Sequence, residues 1–184
     1  MAYIEIEESS ISKFLFSSTR MSWLWFLARV WVGWQWLEAG WGKFNNAAWI
    51  GDKAGAAITG FFNGSLAKTS GAHPDVSGWY AWFIQNVALP NAEAFSYLVT
   101  FGEILIGVGL ILGAFTGIAA FFGSFMNMNF LFAGTVSINP LLLLIQLLLI
   151  LAWKNAGYLG LDRWLLPKLG TPWQRNITSN YRSG

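Results

Sequence analysis

Four apolar stretches divide the chain, and each is long enough to form a helix that crosses a lipid bilayer. They cover residues 22–42, 94–113, 115–136 and 139–160. A helix rises about 1.5 Å per residue, so roughly 20 apolar residues cross a hydrocarbon core of about 30 Å. The pattern therefore predicts an all-α integral membrane protein whose core is a bundle of four transmembrane helices.

The breaks between these stretches predict how the helices are connected. Gly113 and the pair Thr116-Gly117 leave room only for a tight turn, so we expect the second and third helices to form a helical hairpin. The fourth stretch opens on Asn139-Pro140, and proline is tolerated in the first turn of a helix. We expect one membrane domain over residues 22–165, preceded by a segment, 1–21, and followed by a tail, 166–184.

The segment 43–93, between the first two stretches, contains aromatic runs that are too short or too polar to cross a membrane. Within residues 76–87, Trp79, Trp82 and Phe83 recur at helical spacing, followed by Val87, and residues 54–62 behave similarly. Tryptophan and tyrosine favour membrane interfaces. We expect two short helices that lie at the interface or cap the bundle, and an irregular external loop is the alternative.

Lysine and arginine outside the apolar stretches, together with Lys154 near the end of the fourth, predict the orientation, because cytoplasmic segments are richer in both. With four spans both termini lie on one side, which holds Lys13, Arg20, Lys154, Arg163, Lys168, Arg175 and Arg182. The long loop holds Lys43, Lys53 and Lys68. We therefore expect a multi-pass protein of the cell membrane with cytoplasmic termini and an external long loop.

The N-terminal residues predict that the first helix is retained. Glu5, Glu7 and Glu8 precede Lys13, and this segment lacks both the basic start and the small-residue cleavage site of a signal peptide. We therefore expect the first apolar stretch to be a membrane helix that is retained in the mature protein.

Composition excludes several classes of function. Charged residues make up only 11% of the chain and the net charge is +2, with the basic residues dispersed, which argues against nucleic-acid binding. The absence of cysteine removes thiolate metal sites and iron–sulfur clusters. The single histidine, His73, lies in a polar segment and cannot supply a pair of axial haem ligands. We expect neither haem nor a metal cofactor.

Three charged residues fall well inside the predicted spans, and two of them, Arg29 and Glu103, are candidates for chemistry. The third, Glu38, is nine residues from Arg29, about half a turn away, and faces another side of the helix. Arg29 lies about 10 Å and Glu103 about 15 Å from the same predicted side of the membrane, so an extended arginine could reach the carboxylate. Ionised groups in the bilayer are costly and mark functional sites by default. A buried pair that only fixes the helix register is the equal alternative.

Neutral polar residues lie at compatible depths. Asn127 is expected near the level of Glu103, and Gln146 near the level of Arg29, which allows a central polar cluster. Interhelical hydrogen bonding without a ligand explains such residues equally well.

One face of the first helix is basic. Arg29, Trp36 and Lys43 are spaced by seven and share that face, which suits an anion, a quinone head group or a lipid phosphate. The spacings of Gly109, Gly113 and Gly117 permit close helix approach and suggest oligomers formed through glycine-rich faces.

The order of these features resembles the DoxX family, which includes the DoxD subunit of thiosulfate:quinone oxidoreductase. The matching residues are 29–34 (RVWVGW), 36–44 (WLEAGWGKF), 102–107 (GEILIG), 110–113 (LILG), 137–140 (SINP) and 155–163 (NAGYLGLDR). The resemblance covers residues 22–165 and implies a small four-helix membrane protein. It implies membership of a redox assembly that oxidises thiosulfate and passes electrons to quinone.

The resemblance also ranks the candidate residues. It implies that Arg29 and Glu103 are catalytic and that Lys43 and Asp162 bind substrate or quinone. A local ion pair of Asp162 with Arg163 at the helix end is the equal alternative for Asp162. Trp36, Asn127 and Gln146, singled out by their positions on the helices, are expected to line the same site. Because the chain has no cysteine, the quinone either reacts directly with the bound donor or receives electrons from a partner subunit, soluble or in the membrane.

Two other classes of function stay open. One is a non-catalytic subunit that anchors or assembles a larger redox or respiratory complex, and the other is a small transporter or lipid-binding protein. The chain has no obvious inverted duplication, which weighs against a transporter.

Overall fold

The computed structural model describes residues 8–169, and every regular element in that range is a helix. The helices are α1 (Ser10–Ser17), α2 (Ser22–Phe44), α3 (Ala56–Leu66), α4 (Gly78–Phe83), α5 (Ala92–Leu112), α6 (Thr116–Phe132), α7 (Asn139–Leu151), α8 (Trp153–Ala156) and α9 (Asp162–Lys168). Arg175 and Arg182, used for the orientation, and Glu5 and Glu7 lie outside the described residues.

Four long helices, α2, α5, α6 and α7, occupy the four apolar stretches, but their bounds differ from those predicted. Helix α7 ends at Leu151 instead of residue 160, because the apolar run ends there and Ala152 leaves the helical conformation. The side chain of Asn155 then turns inward and donates to the carbonyls of Leu15 and Ser18, at 3.0 and 2.8 Å. Helix α9 crosses the predicted boundary between the membrane domain and the tail.

The second apolar stretch belongs to a much longer helix than predicted. Helix α4, a π-helical turn over Ile84–Ala88, a 3-10 turn over Leu89–Asn91 and α5 run without a break from Gly78 to Leu112. Pro90 has no amide hydrogen to donate, so an irregular helical turn is expected around it. Within the described range, this 35-residue helix alone is long and apolar enough to cross a membrane. The count of four spans therefore stays a prediction.

The segment before α5 folds into a helical cap over one end of the bundle. Helices α3 and α4 pack on each other through Ile58, Phe62, Tyr80 and Ile84, and residues 79 and 82 face outward as exposed tryptophans. The Nζ of Lys68 donates to the carbonyl of Gly134 at 2.6 Å and ties the end of α3 to the end of α6. Both parts of the segment that were predicted to be helical are helical, and turns connect them. The second is not a separate short helix, however, because α4 continues into α5.

Glycines allow α2 and α5 to pack with their backbones almost in contact. A Cβ atom added at Gly107 would lie 2.6 Å from the backbone nitrogen of Leu37, and one added at Gly40 would lie 2.9 Å from that of Ile104. Gly109 similarly faces Ala119 of α6, and Gly117 faces Trp153. Neighbouring helices of the same chain therefore occupy these glycine faces. At these positions the glycines have no free surface for the predicted oligomer contacts.

Candidate functional site

Arg29 is fully buried and caps the end of a helix with its guanidinium group. Its nitrogens donate to the carbonyl oxygens of Leu110 (2.5 Å), Ile111 (2.7 Å), Ala156 (3.1 Å) and Leu159 (2.8 Å). The first two carbonyls belong to the last turn of α5, where carbonyls have no partner within the helix. The predicted pairing of Arg29 with Glu103 is therefore wrong, because backbone carbonyls satisfy the arginine.

Asp162 caps the N-terminus of α6, the helix that follows the turn after α5. Its carboxylate accepts from the backbone N–H groups of Phe115 (2.5 Å) and Thr116 (2.9 Å), at the start of α6. The N–H of Asp162 itself donates to the carbonyl of Gly113 at 2.8 Å. Amides at a helix N-terminus have no partner within the helix and favour a carboxylate. Asp162 thus holds the α5–α6 turn and does not meet Lys43 or Glu103.

Lys43 is the partner of Glu103. Its Nζ donates to Oε1 at 2.9 Å and to Oε2 at 2.6 Å, and it lies 5.1 Å from the centre of the Trp49 ring. The Glu103 side chain is 2% exposed and the Lys43 side chain 20%, so the pair is accessible only from the lysine. One predicted catalytic residue and one predicted binding residue therefore form a single ion pair.

A cavity of about 1120 Å³ includes this ion pair in its lining. Aromatic side chains of the cap and of α5 also line the cavity, among them Trp49, Phe61, Tyr80, Phe83 and Phe95, and Trp49 lies over the Lys43 ammonium group. The rest of the wall is mostly apolar. It includes exposed residues of α5 and α6 such as Leu98, Leu105, Ile118 and Phe122. The cavity is therefore open on the outer surface between these two helices.

Trp36, Gln146 and Asn127 form a neutral polar cluster beside the cavity. The amides of Asn127 and Gln146 lie 2.6 Å apart, and both residues are fully buried. With its oxygen toward Trp36, the Gln146 amide accepts from the indole Nε1 at 2.6 Å and donates to the carbonyl of Leu142 at 3.1 Å. This cluster joins α2, α6 and α7. The predicted approach of Gln146 to Arg29 is replaced by its contact with Asn127.

The structure thus separates the predicted site residues into three groups. Lys43, Glu103 and Trp36 line the cavity, Asn127 and Gln146 brace its wall, and Arg29 and Asp162 hold the opposite end of the bundle.

The sequence reading missed Trp49, which lies over the ammonium group, and Tyr80, whose hydroxyl donates to the carbonyl of Asn129 at 3.0 Å. The placement of Trp49 just after the helix that carries Lys43 was the available signal for the first of these.

A comparison with family models decides the relationship of the chain to known proteins. The DoxX model matches residues 24–135, which is more than half of the sequence. This chain belongs to the DoxX family. The matched segment of this DoxX protein runs from α2 to just beyond α6, so it includes Lys43 and Glu103 and excludes Asp162. DoxX proteins are membrane proteins, in agreement with the long apolar helix. Comparisons with curated proteins and with solved structures give no match.

Proposed function

We propose that this DoxX protein is a quinone-linked oxidoreductase subunit of the thiosulfate:quinone type, and that the quinone enters the cavity from the bilayer. The observation that supports this is a single ion pair, Lys43–Glu103, in the wall of a mostly apolar cavity open between α5 and α6. The lining also includes Glu38, which forms no ion pair within the described residues. A quinone likewise combines a polar ring with an apolar tail. The ring would lie among the aromatic residues and the tail along the open side.

Lys43 and Glu103 have different tasks in this proposal. The lysine ammonium group donates to a quinone carbonyl oxygen, using the side that faces the cavity. Reduction of a quinone takes up two electrons and two protons. Glu103, a carboxylate in its pair with Lys43, first takes up a proton from water and passes it to the oxygen that Lys43 holds, and the other oxygen takes its proton from water. The electrons come from the sulfur donor, directly or through a partner subunit, since the chain has no cysteine. Trp36, Asn127 and Gln146 position the wall, while Arg29 and Asp162 act through the fold.

The test is thiosulfate-dependent reduction of a short-tailed ubiquinone analogue by membranes that contain the chain, alone and with candidate partners. Binding of the same analogue to the purified protein in lipid nanodiscs is measured separately, by quenching of tryptophan fluorescence. We expect Glu103→Gln to reduce turnover at least about 100-fold with little loss of binding, since it removes a proton donor. We expect Lys43→Met to weaken binding.

Matched controls are Glu93→Gln and Lys53→Met, which make the same changes at exposed positions. Reduction at the level of membranes without the chain, with every candidate partner present, would remove the catalytic role. Binding that is unchanged in Lys43→Met would remove the proposed site.

The second candidate function is a non-catalytic subunit that anchors or assembles a larger redox complex. The observation that favours it is an exposed carboxylate, Glu38, on a helix that packs against the membrane-spanning one. Purification in mild detergent tests it, because an anchoring subunit is recovered with its complex. A chain that always migrates alone would exclude this function.

A further inference from the structure

Helix α2 presents an aromatic face that contains one carboxylate. Its six residues are spaced by three or four, so they project from one side of the helix, and all are exposed: Trp23, Leu27, Trp31, Trp34, Glu38 and Trp41. No side chain within residues 8–169 forms an ion pair or a hydrogen bond with the Glu38 carboxylate. The α2 face, as these residues are called below, therefore carries one carboxylate that has no partner in the described chain.

The packing of α2 on α5 fixes the depth of Glu38. Gly33 lies against Ile111 and Gly40 lies against Ile104, so the two helices run in opposite directions with residues 33–40 beside 104–111. Glu38 is thus level with Ile106, in the wholly apolar segment 104–111 (ILIGVGLI) of the helix that is able to span a membrane, and about one turn from the level of Glu103. An ionised carboxylate at this depth is strongly unfavourable when it faces lipid.

We propose that the α2 face binds a transmembrane helix of a different protein, and that a lysine or arginine of that helix pairs with Glu38. A basic residue at matching depth removes the unfavourable exposure of the carboxylate, and the tryptophans supply the large aromatic contact area typical of protein interfaces. This proposal does not depend on the quinone proposal and stands if the latter fails.

Two other occupants fit the face less well. Lipid ammonium groups lie at the head-group level, whereas Glu38 lies about five residues, or 8 Å, deeper than the Gly33–Ile111 contact near the end of α5. In a two-fold dimer with its axis along the membrane normal, both Glu38 carboxylates lie at the same depth and repel each other. A second copy also lacks a cation to offer there, because Lys43 is bound to Glu103 and Arg29 to carbonyls in the described structure.

The experiment is site-specific photo-cross-linking in membranes of the cells that naturally make the protein. A benzophenone amino acid replaces Trp34 or Trp41 on the α2 face, and Phe121 or Leu147 on outward faces of α6 and α7 as matched controls. Cross-linked peptides are identified by mass spectrometry. We expect adducts from positions 34 and 41, and not from the controls, with a membrane segment of another protein that contains lysine or arginine.

A second variant tests the charge itself. Glu38→Leu should lower the yield of the adduct at least about tenfold, because it leaves the basic residue of the partner unpaired in the membrane. Glu93→Leu, at an exposed glutamate away from the face, should leave the yield unchanged. Because Glu38 has no partner in the described chain, the leucine variant should accumulate normally, which is checked by its amount in the membrane.

The remaining outcomes overturn the proposal. Adducts only with a second copy of the chain would assign the face to a homo-oligomer, and adducts only with lipid would leave it lipid-facing. A partner segment without lysine or arginine, or a yield that Glu38→Leu does not change, would show that the carboxylate is not what the partner recognises.

Discussion

Arg29 and Asp162 act on the two sides of one turn. The guanidinium group binds two carbonyls in the last turn of α5, and the carboxylate binds the first amides of α6. The turn between them contains Gly113 and Phe115, both with positive φ angles, of 64° and 50°. A non-glycine residue in this conformation is strained and persists only where the surroundings hold it. The two charges therefore stabilise a turn that the local sequence alone would not favour.

Replacement of Arg29 by leucine should destabilise the protein severely. The carbonyls of Ile111, Ala156 and Leu159 lose their donor, while that of Leu110 keeps the Gly113 amide. Each buried polar group without a partner costs about 1–3 kcal/mol, so we expect a loss of at least about 3 kcal/mol. The thermal unfolding midpoint in detergent should fall by about 6–12 °C. Arg20→Leu, at an exposed arginine, is the control. Equal midpoints for the two variants would contradict the capping role.

Gly157→Ala should destabilise the α5–α6 turn as Asp162→Ala does, but without a change in charge. A Cβ atom at residue 157 would overlap the Asp162 carboxylate, so the carboxylate would have to leave the amides of Phe115 and Thr116. Loss of hydrogen bonds to a charged group costs about 1.5–3 kcal/mol. The unfolding midpoints of Gly157→Ala and Asp162→Ala are compared with that of Gly42→Ala, where a Cβ meets no described atom within 4 Å.

If Gly157→Ala behaves like the Gly42→Ala control while Asp162→Ala is destabilised, the carboxylate has room to move and the proposed overlap is wrong. Destabilisation of both, without additional loss in the double variant, would support the shared mechanism.

The Lys43–Glu103 pair should show strong coupling in a double-mutant cycle. Lys43→Met or Glu103→Leu alone leaves one buried charge without its partner, and we expect each to cost about 3–5 kcal/mol. The double variant should be more stable than either single variant, because two apolar groups replace the pair. Thermal unfolding of the four proteins gives the coupling energy, and additive losses would contradict a direct interaction.

Gly107→Ala should separate α2 from α5. The added methyl group would lie 2.6 Å from the backbone nitrogen of Leu37, which cannot move aside as a flexible side chain could. Overpacking of this kind costs about 1–3 kcal/mol. Gly60→Ala, in α3, adds the same group where no described atom lies within 4 Å. If both variants unfold at the same midpoint, the helices are less closely packed than the structure shows.

Much of the fold could be predicted because hydrophobic periodicity reports where a helix lies. The four long helices follow the four apolar stretches, and Arg29 and Trp36 share the buried face of α2. Helix ends were less predictable. The break after Leu151 depends on the inward turn of Asn155, whose partners, the carbonyls of Leu15 and Ser18, are distant in sequence.

The partners of buried charges were the hardest part to predict. Depth along a helix placed Arg29 and Glu103 within reach of each other, but backbone carbonyls carry no residue signature, so the real acceptors of Arg29 could not be recognised. The sequence contained only a weak signal for the Lys43–Glu103 pair. Gly40 on α2 and Gly107 on α5 are small residues that permit close helix contact, and Lys43 and Glu103 lie three and four residues from them on the same helices.

The unbroken helix from Gly78 to Leu112 joins part of the cap rigidly to the helix that is able to span a membrane. At about 1.5 Å per residue, its 35 residues form a lever about 50 Å long. The only irregular turns within it lie at Ile84–Ala88 and Leu89–Asn91, before Glu103. A displacement of Trp79, at the exposed end, would therefore be transmitted along the helix axis towards Glu103. The two irregular turns are the positions where bending of the helix would absorb that displacement.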